Sequence, residues 1–418
     1  MEFSIKMKSN QGIFYHNTIM QYIILLSKYV VPLLTLPYLT RVLEAELYGI
    51  ITYLTAIVSY FQIFIDFGYN LSATKDVAEH QLDKQYIGNV LGKTIQGRLY
   101  LLIASFVIYA ILIHSVPLTK ENLLISYLYF GIVVFSVFIP DFLFRGLERT
   151  EVLTFRYLIS QLLTILLTFT LVKSKEDIIW VPILRILELQ ISNILSWYYI
   201  NKKLQIRVNF TCINDVLKSM KVSAIYFIST FATTAYGITN TFIFGIMNLP
   251  PSQIAYWGVS FTLISAAQSL YSPIISSLYP HMAARKDFQL LKRIIIILVP
   301  INIILVVFLF KFTYPIIMII SGLEYVDAVQ VFRLLLPVLV FSFPAMLIGF
   351  PLLGIIGRVK ELTTTTIISA VFHILGLLFL ILIEKFNVFN VAILRSLTEF
   401  VLLCTRMYLI IKYIMKKV

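Results

Sequence analysis

Charge is what this chain has least of. Only 13% of its 418 residues are Asp, Glu, Lys or Arg, well below the roughly 25% of an ordinary soluble domain. With 59% hydrophobic residues and a mean hydropathy of +0.88, there is too little polar cover for an aqueous surface. That excludes a soluble globular protein and makes the bilayer the solvent. Cysteine is scarce too. Cys212 and Cys404 form no C-x-x-C pair, which excludes a disulfide framework. The five histidines, His16, His80, His114, His281 and His373, lack ligand spacing, so no metal site is expected. A P-loop, a nucleophile elbow and a glycine-rich dinucleotide fingerprint are all missing. No cofactor is expected, and the chain does not read as an enzyme. Residues 1–16 are polar and the first apolar run is a full span, so no cleavable signal peptide is expected.

What is abundant is long apolar runs near the roughly 20 residues that a spanning helix needs. They fall near 17–39, 48–71, 94–116, 122–142, 152–172, 178–200, 219–247, 252–279, 294–318, 328–356, 362–383 and 388–411. The fold class is therefore an all-α membrane protein of about twelve transmembrane helices. Short connections leave no room for a soluble catalytic domain. The net charge of +13 marks topology, not nucleic-acid binding. Of the lysines and arginines, Lys28, Arg185, Arg333 and Arg395 lie inside spans; Arg41, Lys120, Lys173, Lys175, Lys311 and Lys385 fall on one side, and the rest, Arg98 and Arg156 among them, fall with the N-terminus. By the positive-inside rule, both termini are cytoplasmic.

The chain also echoes itself. Tyr48-Gly49 opens the second span, and Tyr256-Trp257-Gly258 opens the eighth. Gly146-Leu147-Glu148-Arg149 follows the fourth, and Gly357-Arg358-Val359-Lys360-Glu361 follows the tenth. Six spans separate each pair, so the halves are expected to be parallel repeats with a substrate site between them. The organisation expected is a cytoplasmic segment at 1–16 and six-helix bundles at 17–205 and 206–418.

Charges inside spans are costly, about 2.5–3.5 kcal/mol each on insertion scales, and usually face a cavity or a partner. Arg185 and Glu188 are three apart, and Arg395 and Glu399 four apart, so each pair shares a helix face. Local neutralisation and a place in a cavity both remain open for them. Lys28 and Arg333 have no opposite charge at such spacing in their own helices. They snorkel to an interface or line a cationic cavity suited to an anion such as a pyrophosphate. Asp66 is a candidate for ion coupling, or else it caps a helix or pairs with a lysine. His373 reads as a hydrogen-bonded packing residue. Prolines at 32, 182, 273, 300, 337 and 344 fall inside spans, where kinks are expected.

One segment carries more than physics. The run Val31-Pro32-Leu33-Leu34-Thr35-Leu36-Pro37-Tyr38-Leu39-Thr40-Arg41-Val42-Leu43, then Tyr48-Gly49, then Asp66-Phe67-Gly68-Tyr69-Asn70-Leu71-Ser72-Ala73-Thr74, resembles the polysaccharide (O-antigen) flippase family. That family is the Wzx-like branch of the superfamily that includes MATE exporters. Pro37, Tyr38, Arg41, Gly68 and Asn70 carry the match. Arg145-Gly146-Leu147-Glu148-Arg149, Tyr236-Gly237-Ile238-Thr239-Asn240 and Phe244-Gly245 extend it. Glu44 stands where the family usually has glycine.

The resemblance implies a MATE-like fold and a bacterial inner-membrane flippase. Its substrate would be an undecaprenyl-pyrophosphate-linked oligosaccharide, moved from the cytoplasmic to the periplasmic leaflet by alternating access. Lys28, Arg185, Arg333 and Arg395 would line the cationic central cavity. Asp66, Glu188 and Glu399 would serve ion coupling or charge pairing. Membrane lipid, a polysaccharide polymerase and a chain-length regulator are the implied partners. The alternatives are a MATE-type cation or drug antiporter and an O-antigen polymerase. The first would favour an acidic cavity; the second would need a large extracytoplasmic loop.

Overall fold

The computed structural model describes residues 10–415. The side chains of 10–18, 21, 25, 26, 29, 229, 232–236, 280, 283, 284 and 413–415 are not part of that description. Most of the expected 1–16 segment, together with Lys416 and Lys417, therefore lies outside the described residues. Helix is the sole regular element among them. The first half holds α1 (Asn10–Asp66), α2 (Tyr69–Glu79), α3 (Lys84–Ser115), α4 (Pro117–Lys120), α5 (Leu123–Ser136), α6 (Asp141–Gly146), α7 (Thr150–Leu171) and α8 (Trp180–Tyr199). The second half holds α9 (Ile213–Ile246), α10 (Pro251–Ser269), α11 (Tyr271–Arg285), α12 (Phe288–Lys311), α13 (Thr313–Ser321), α14 (Val326–Ile348), α15 (Val359–Leu382) and α16 (Val388–Met415).

Each of the twelve expected spans meets a helix. Among the described residues nine stretches are long and apolar enough to cross a membrane. One of the three missing is accounted for by α1, which runs through the first two spans as one element, with non-helical geometry at Glu44; the seventh and eighth expected spans, on α9 and on α10 with α11, are the other two. Large apolar side chains stand on the outside, such as Ile296, Ile304 and Phe308 on α12 and Leu375 and Phe379 on α15. Water would not tolerate faces of this kind, and lipid does.

The order of breaks recurs in both halves. The span ending at Asp66 continues after Phe67-Gly68 as α2, and α10 continues after Leu270 as α11. Further on, α5 breaks into α6, while α14 passes into a π-helical turn at Gly349–Gly354. The helix ends that follow close alike. The Arg149 amide donates to Phe144 O at 2.7 Å and the Arg358 amide to Leu353 O at 2.9 Å. Each follows a left-handed residue, Glu148 (φ 55°) and Gly357 (φ 79°). Both ends are the six-to-one closure of a Schellman cap, at the two sites where the sequence repeats itself.

The chain divides into two compact units. One holds the residues up to Val31 and Ile50–Asn248; the other holds Pro32–Gly49 and the chain from Leu249 onward. Measured against bundles at 17–205 and 206–418, the first unit keeps α9, and the second takes the middle of α1. In the first unit α7 packs along α8, α2 on α6, α5 on α8 and α3 on α9. In the second, α14 is central and meets α10, α12 and α16, through buried Val331, Leu335, Leu336 and Leu339.

Of the prolines expected inside spans, Pro32, Pro300, Pro337 and Pro344 lie inside helices, as does Pro37. Pro182 and Pro273 do not act as interior kinks. They occupy the first turns of α8 and α11, where the missing N–H would have had no intrahelical partner anyway.

Candidate functional site

Charged and polar side chains of the first unit gather at the gap between α5 and α6. Pro140 has no N–H to continue the helix, and α5 breaks there, which leaves the carbonyls of Phe135, Val137, Phe138 and Ile139 to side-chain donors. In a membrane such groups need protein partners, and side chains from α3 and α8 supply them. Asn193 Nδ2 donates to Phe135 O at 2.9 Å, and Trp197 Nε1 donates to Phe138 O at 3.0 Å. Arg98 Nη1 donates to Ile139 O at 2.8 Å and Val137 O at 3.3 Å. The other arm of Arg98 reaches Asp66 Oδ1 at 2.7 Å. Arg98 is buried, so this is an interior ion pair.

Asp141 opens α6 and pairs with Arg156 of α7. Arg156 is buried and also donates to Ser196 Oγ at 2.6 Å. Lys28 of α1 and Arg145 of α6 are exposed, and both lie within electrostatic range of Asp141. One carboxylate thus faces three cations, and Arg156 already holds it. Lys28 and Arg145 remain as accessible positive charge on one patch, able to hold an anionic group such as a phosphate.

The other expected site residues are distributed as follows. Arg185 is 52% exposed and pairs with Glu188 at 3.1 Å along α8. In the second unit Arg395 and Glu399 are buried and 2.7 Å apart. His373, buried beside them, shares a 2.8 Å hydrogen bond with Thr398, the packing role expected of it. Arg333 is exposed, with its guanidinium 5.2 Å from the Phe310 ring centroid.

The motif residues have local structural work. Arg41 donates to the Ile319 carbonyl near the C-terminus of α13. Pro37 lies inside α1, and Thr40 Oγ1 bonds back to Leu36 O at 2.8 Å. Tyr38 is half-buried. Gly68 has φ 78°, and an added Cβ would come within 2.6 Å of backbone atoms of Ser223 and Phe227. The Asn70 amide donates to Asp66 Oδ2 at 3.4 Å. Asp66 therefore caps a helix, and its ionic partner is an arginine inside α3 where a lysine was expected. The Tyr236 side chain lies outside the described residues.

Two arginines need correction. Arg98 and Arg156 count with the cytoplasmic loop charges in the hydropathy reading, yet both are buried in the unit. Hydropathy windows average over a helix and cannot see that one face turns inward. Asp141 and Arg145, four apart on one face after a proline, were the available signal for this cluster.

The described residues form a polytopic all-α fold whose buried charges are neutralised in pairs, and the chain is a multi-pass membrane protein. It belongs to the polysaccharide biosynthesis protein family, which matches residues 14–286. An Escherichia coli (strain K12) relative named "Putative O-antigen transporter" is 26% identical over 271 residues, covering 65% of this chain and 65% of the relative. A Shigella dysenteriae relative of the same name is 25% identical over 274 residues, 65% of this chain and 68% of its own length. This chain thus spans about two thirds of the length of the curated relatives it matches. The fold is like that of the lipid II flippase MurJ in an inward closed conformation, with a TM-score of 0.72 at 16% identity, covering 95% of this chain and 87% of that one. It is also like an inward-facing multidrug-resistance MATE transporter, with a TM-score of 0.64 at 14% identity, covering 91% and 98%.

Proposed function

We propose that the chain is a flippase for lipid-linked polysaccharide repeat units in the bacterial inner membrane. The observation that carries the reading is membership of the polysaccharide biosynthesis family over residues 14–286, and the names of both relatives agree with it. The cationic patch suggests how cargo is held. Lys28 and Arg145 suit a pyrophosphate, the one strongly charged part of an undecaprenyl-pyrophosphate-linked O-antigen unit. The cargo moves from the cytoplasmic to the periplasmic leaflet by alternating access, past cations that include exposed Arg185 and Arg333. We assign Arg395, enclosed with Glu399, to charge neutralisation, as we do Glu188 and Asp66.

Both termini are cytoplasmic in this proposal, the repeats are the bundles 17–205 and 206–418, and a polymerase and a chain-length regulator act on the product. The membrane potential is worth about 2.3 kcal/mol per charge per 100 mV. In a cell negative inside it favours outward movement of an anionic lipid, with an ion gradient as further coupling.

The test is depletion of the protein, followed by assay of where lipid-linked oligosaccharide accumulates. Single repeat units on the cytoplasmic leaflet, with loss of surface polysaccharide, are expected. Accumulation on the periplasmic leaflet would indicate a polymerase instead. Unchanged polysaccharide with new sensitivity to cationic compounds would indicate an exporter. Lys28→Ala, expressed at normal level, is expected to lose most transport, and a full rate would remove Lys28 from the mechanism.

A further inference from the structure

The first unit contains a cavity, lined by both polar and apolar surface, that the transport reading does not use. It has a volume of ≈330 Å³ and lies among α2, the N-terminal third of α3 and the start of α9. Small-ligand pockets run from roughly 300 to 1,000 Å³, so a headgroup-sized molecule fits.

Its depth in the bilayer follows from the sequence. The expected spans end at 71, begin at 94 and begin at 219. The lining residues Ser72, Lys93 and Lys218 sit beside those three boundaries. Three separate helices thus put the cavity at the level where hydrocarbon gives way to headgroups. Val222 both lines the cavity and is exposed, and Ile225 and Ile228 continue its apolar column along the outside of α9. An acyl chain has a surface to follow.

The lining charges choose the headgroup. Asp76 and Lys93 are half-buried and line the same space. Among the described residues neither enters an ion pair, although the Lys93 ammonium stands 5.8 Å from the Tyr86 ring centroid. Asp215 and Lys218 add a second, loose pair at 3.8 Å, largely exposed. Thr211 Oγ1 is shut off from water with no hydrogen-bond partner among the described residues. Two carboxylates and two ammonium groups balance, so a simple anion meets repulsion from the aspartates and a simple cation from the lysines. A ligand carrying both charges satisfies all of them.

We infer that this cavity binds the headgroup of a zwitterionic phospholipid with a primary ammonium, Asp76 accepting from the ammonium and Lys93 donating to the phosphodiester. A quaternary ammonium cannot donate and binds less well. The inference needs the chain to span a membrane and does not depend on its cargo.

The test is native mass spectrometry of the delipidated full chain, titrated with phosphatidylethanolamine, phosphatidylcholine and phosphatidylglycerol. Wild type is expected to retain phosphatidylethanolamine about tenfold better than either other lipid, as one charge-assisted hydrogen bond allows. Asp76→Asn and Lys93→Gln are each expected to remove that preference, and Thr211→Val to weaken it. The wild-type preference is a readout in itself should a variant fail to fold. Equal retention of the three lipids, a preference for the anionic one, or variants that keep the preference would overturn the inference. Soluble glycerophosphoethanolamine is expected to compete poorly, and competition as strong as the lipid's would overturn the assignment to a lipid.

Discussion

Arg98→Met should be among the most damaging substitutions in the first unit, and the structure gives its size. The change strips donors from Ile139 O and Val137 O, which Arg98 meets at 2.8 and 3.3 Å, and takes the cation from Asp66 at 2.7 Å. Each orphaned carbonyl costs about 1–3 kcal/mol, the longer bond at the low end. Breaking a buried ion pair costs about 3–5 kcal/mol. Asp66 is 21% exposed, so some water reaches it and the lower figure applies. The expected loss is about 5–7 kcal/mol. Asp66→Asn should cost less, about 1–2 kcal/mol, because Arg98 keeps both carbonyls and gains a neutral acceptor. Arg98→Lys should fall between them, since one ammonium cannot span the fork of a guanidinium. Unfolding by sodium dodecyl sulfate in mixed micelles would measure all three. A loss below about 1 kcal/mol for Arg98→Met would refute the carbonyl-capping argument. An Asp66→Asn loss as large as that of Arg98→Met would show that the ion pair dominates.

Three further perturbations test other parts of the chain. Glu44 has φ 57° and ψ 179°, a region costing most side chains about 1–3 kcal/mol. After the entropy of an added glycine is charged, Glu44→Gly is expected to stabilise by about 1 kcal/mol in the same unfolding assay, and destabilisation would contradict the assigned strain. A Cβ on Gly92 would stand 1.9 Å from the Asn209 carbonyl oxygen, so Gly92→Ala should lift the segment between α8 and α9 off α3. Faster proteolysis within 205–212 is expected, and an unchanged cleavage pattern would refute the contact. Finally, the Asp177 carboxylate accepts the Lys173 amide, the Ser174 hydroxyl and the Ser174 amide, each at 3.0 Å, which holds it below the usual carboxylate range. Its stabilisation is complete above that usual range and fades as pH falls through the lowered value. Hydrogen exchange at the Lys173 and Ser174 amides should distinguish wild type from Asp177→Asn near neutral pH and converge on acidification.

How much of this was legible in the sequence depends on where each partner lies along the chain. The Arg185–Glu188 and Arg395–Glu399 pairs could be read from spacing, because three- and four-residue separations put side chains on one helix face. Both pairs form. Glu44 could be singled out from the resemblance, since the family places glycine there. The positive φ that gives glycine its advantage is visible only in the fold. Asp66 and Arg98 find each other across two helices, and the carboxylate nearest Lys28, Asp141, lies on another helix, so no local spacing points to either.

The sequence by itself determined that the chain is helical and membrane-spanning, where its long apolar runs lie, and where the pattern repeats. The reason is that lipid supplies no hydrogen bonds, so apolar run length alone dictates where a helix must satisfy its own backbone. Tertiary structure decided the rest. It turned Arg98 and Arg156 from loop charges into buried donors, closed the break at Pro140 with side chains from α3 and α8, and left Lys28 and Arg145 exposed beside a carboxylate already held. Which charges cancel and which stay available depends on helix–helix packing, and an ion pair between two helices leaves no periodic trace in either one.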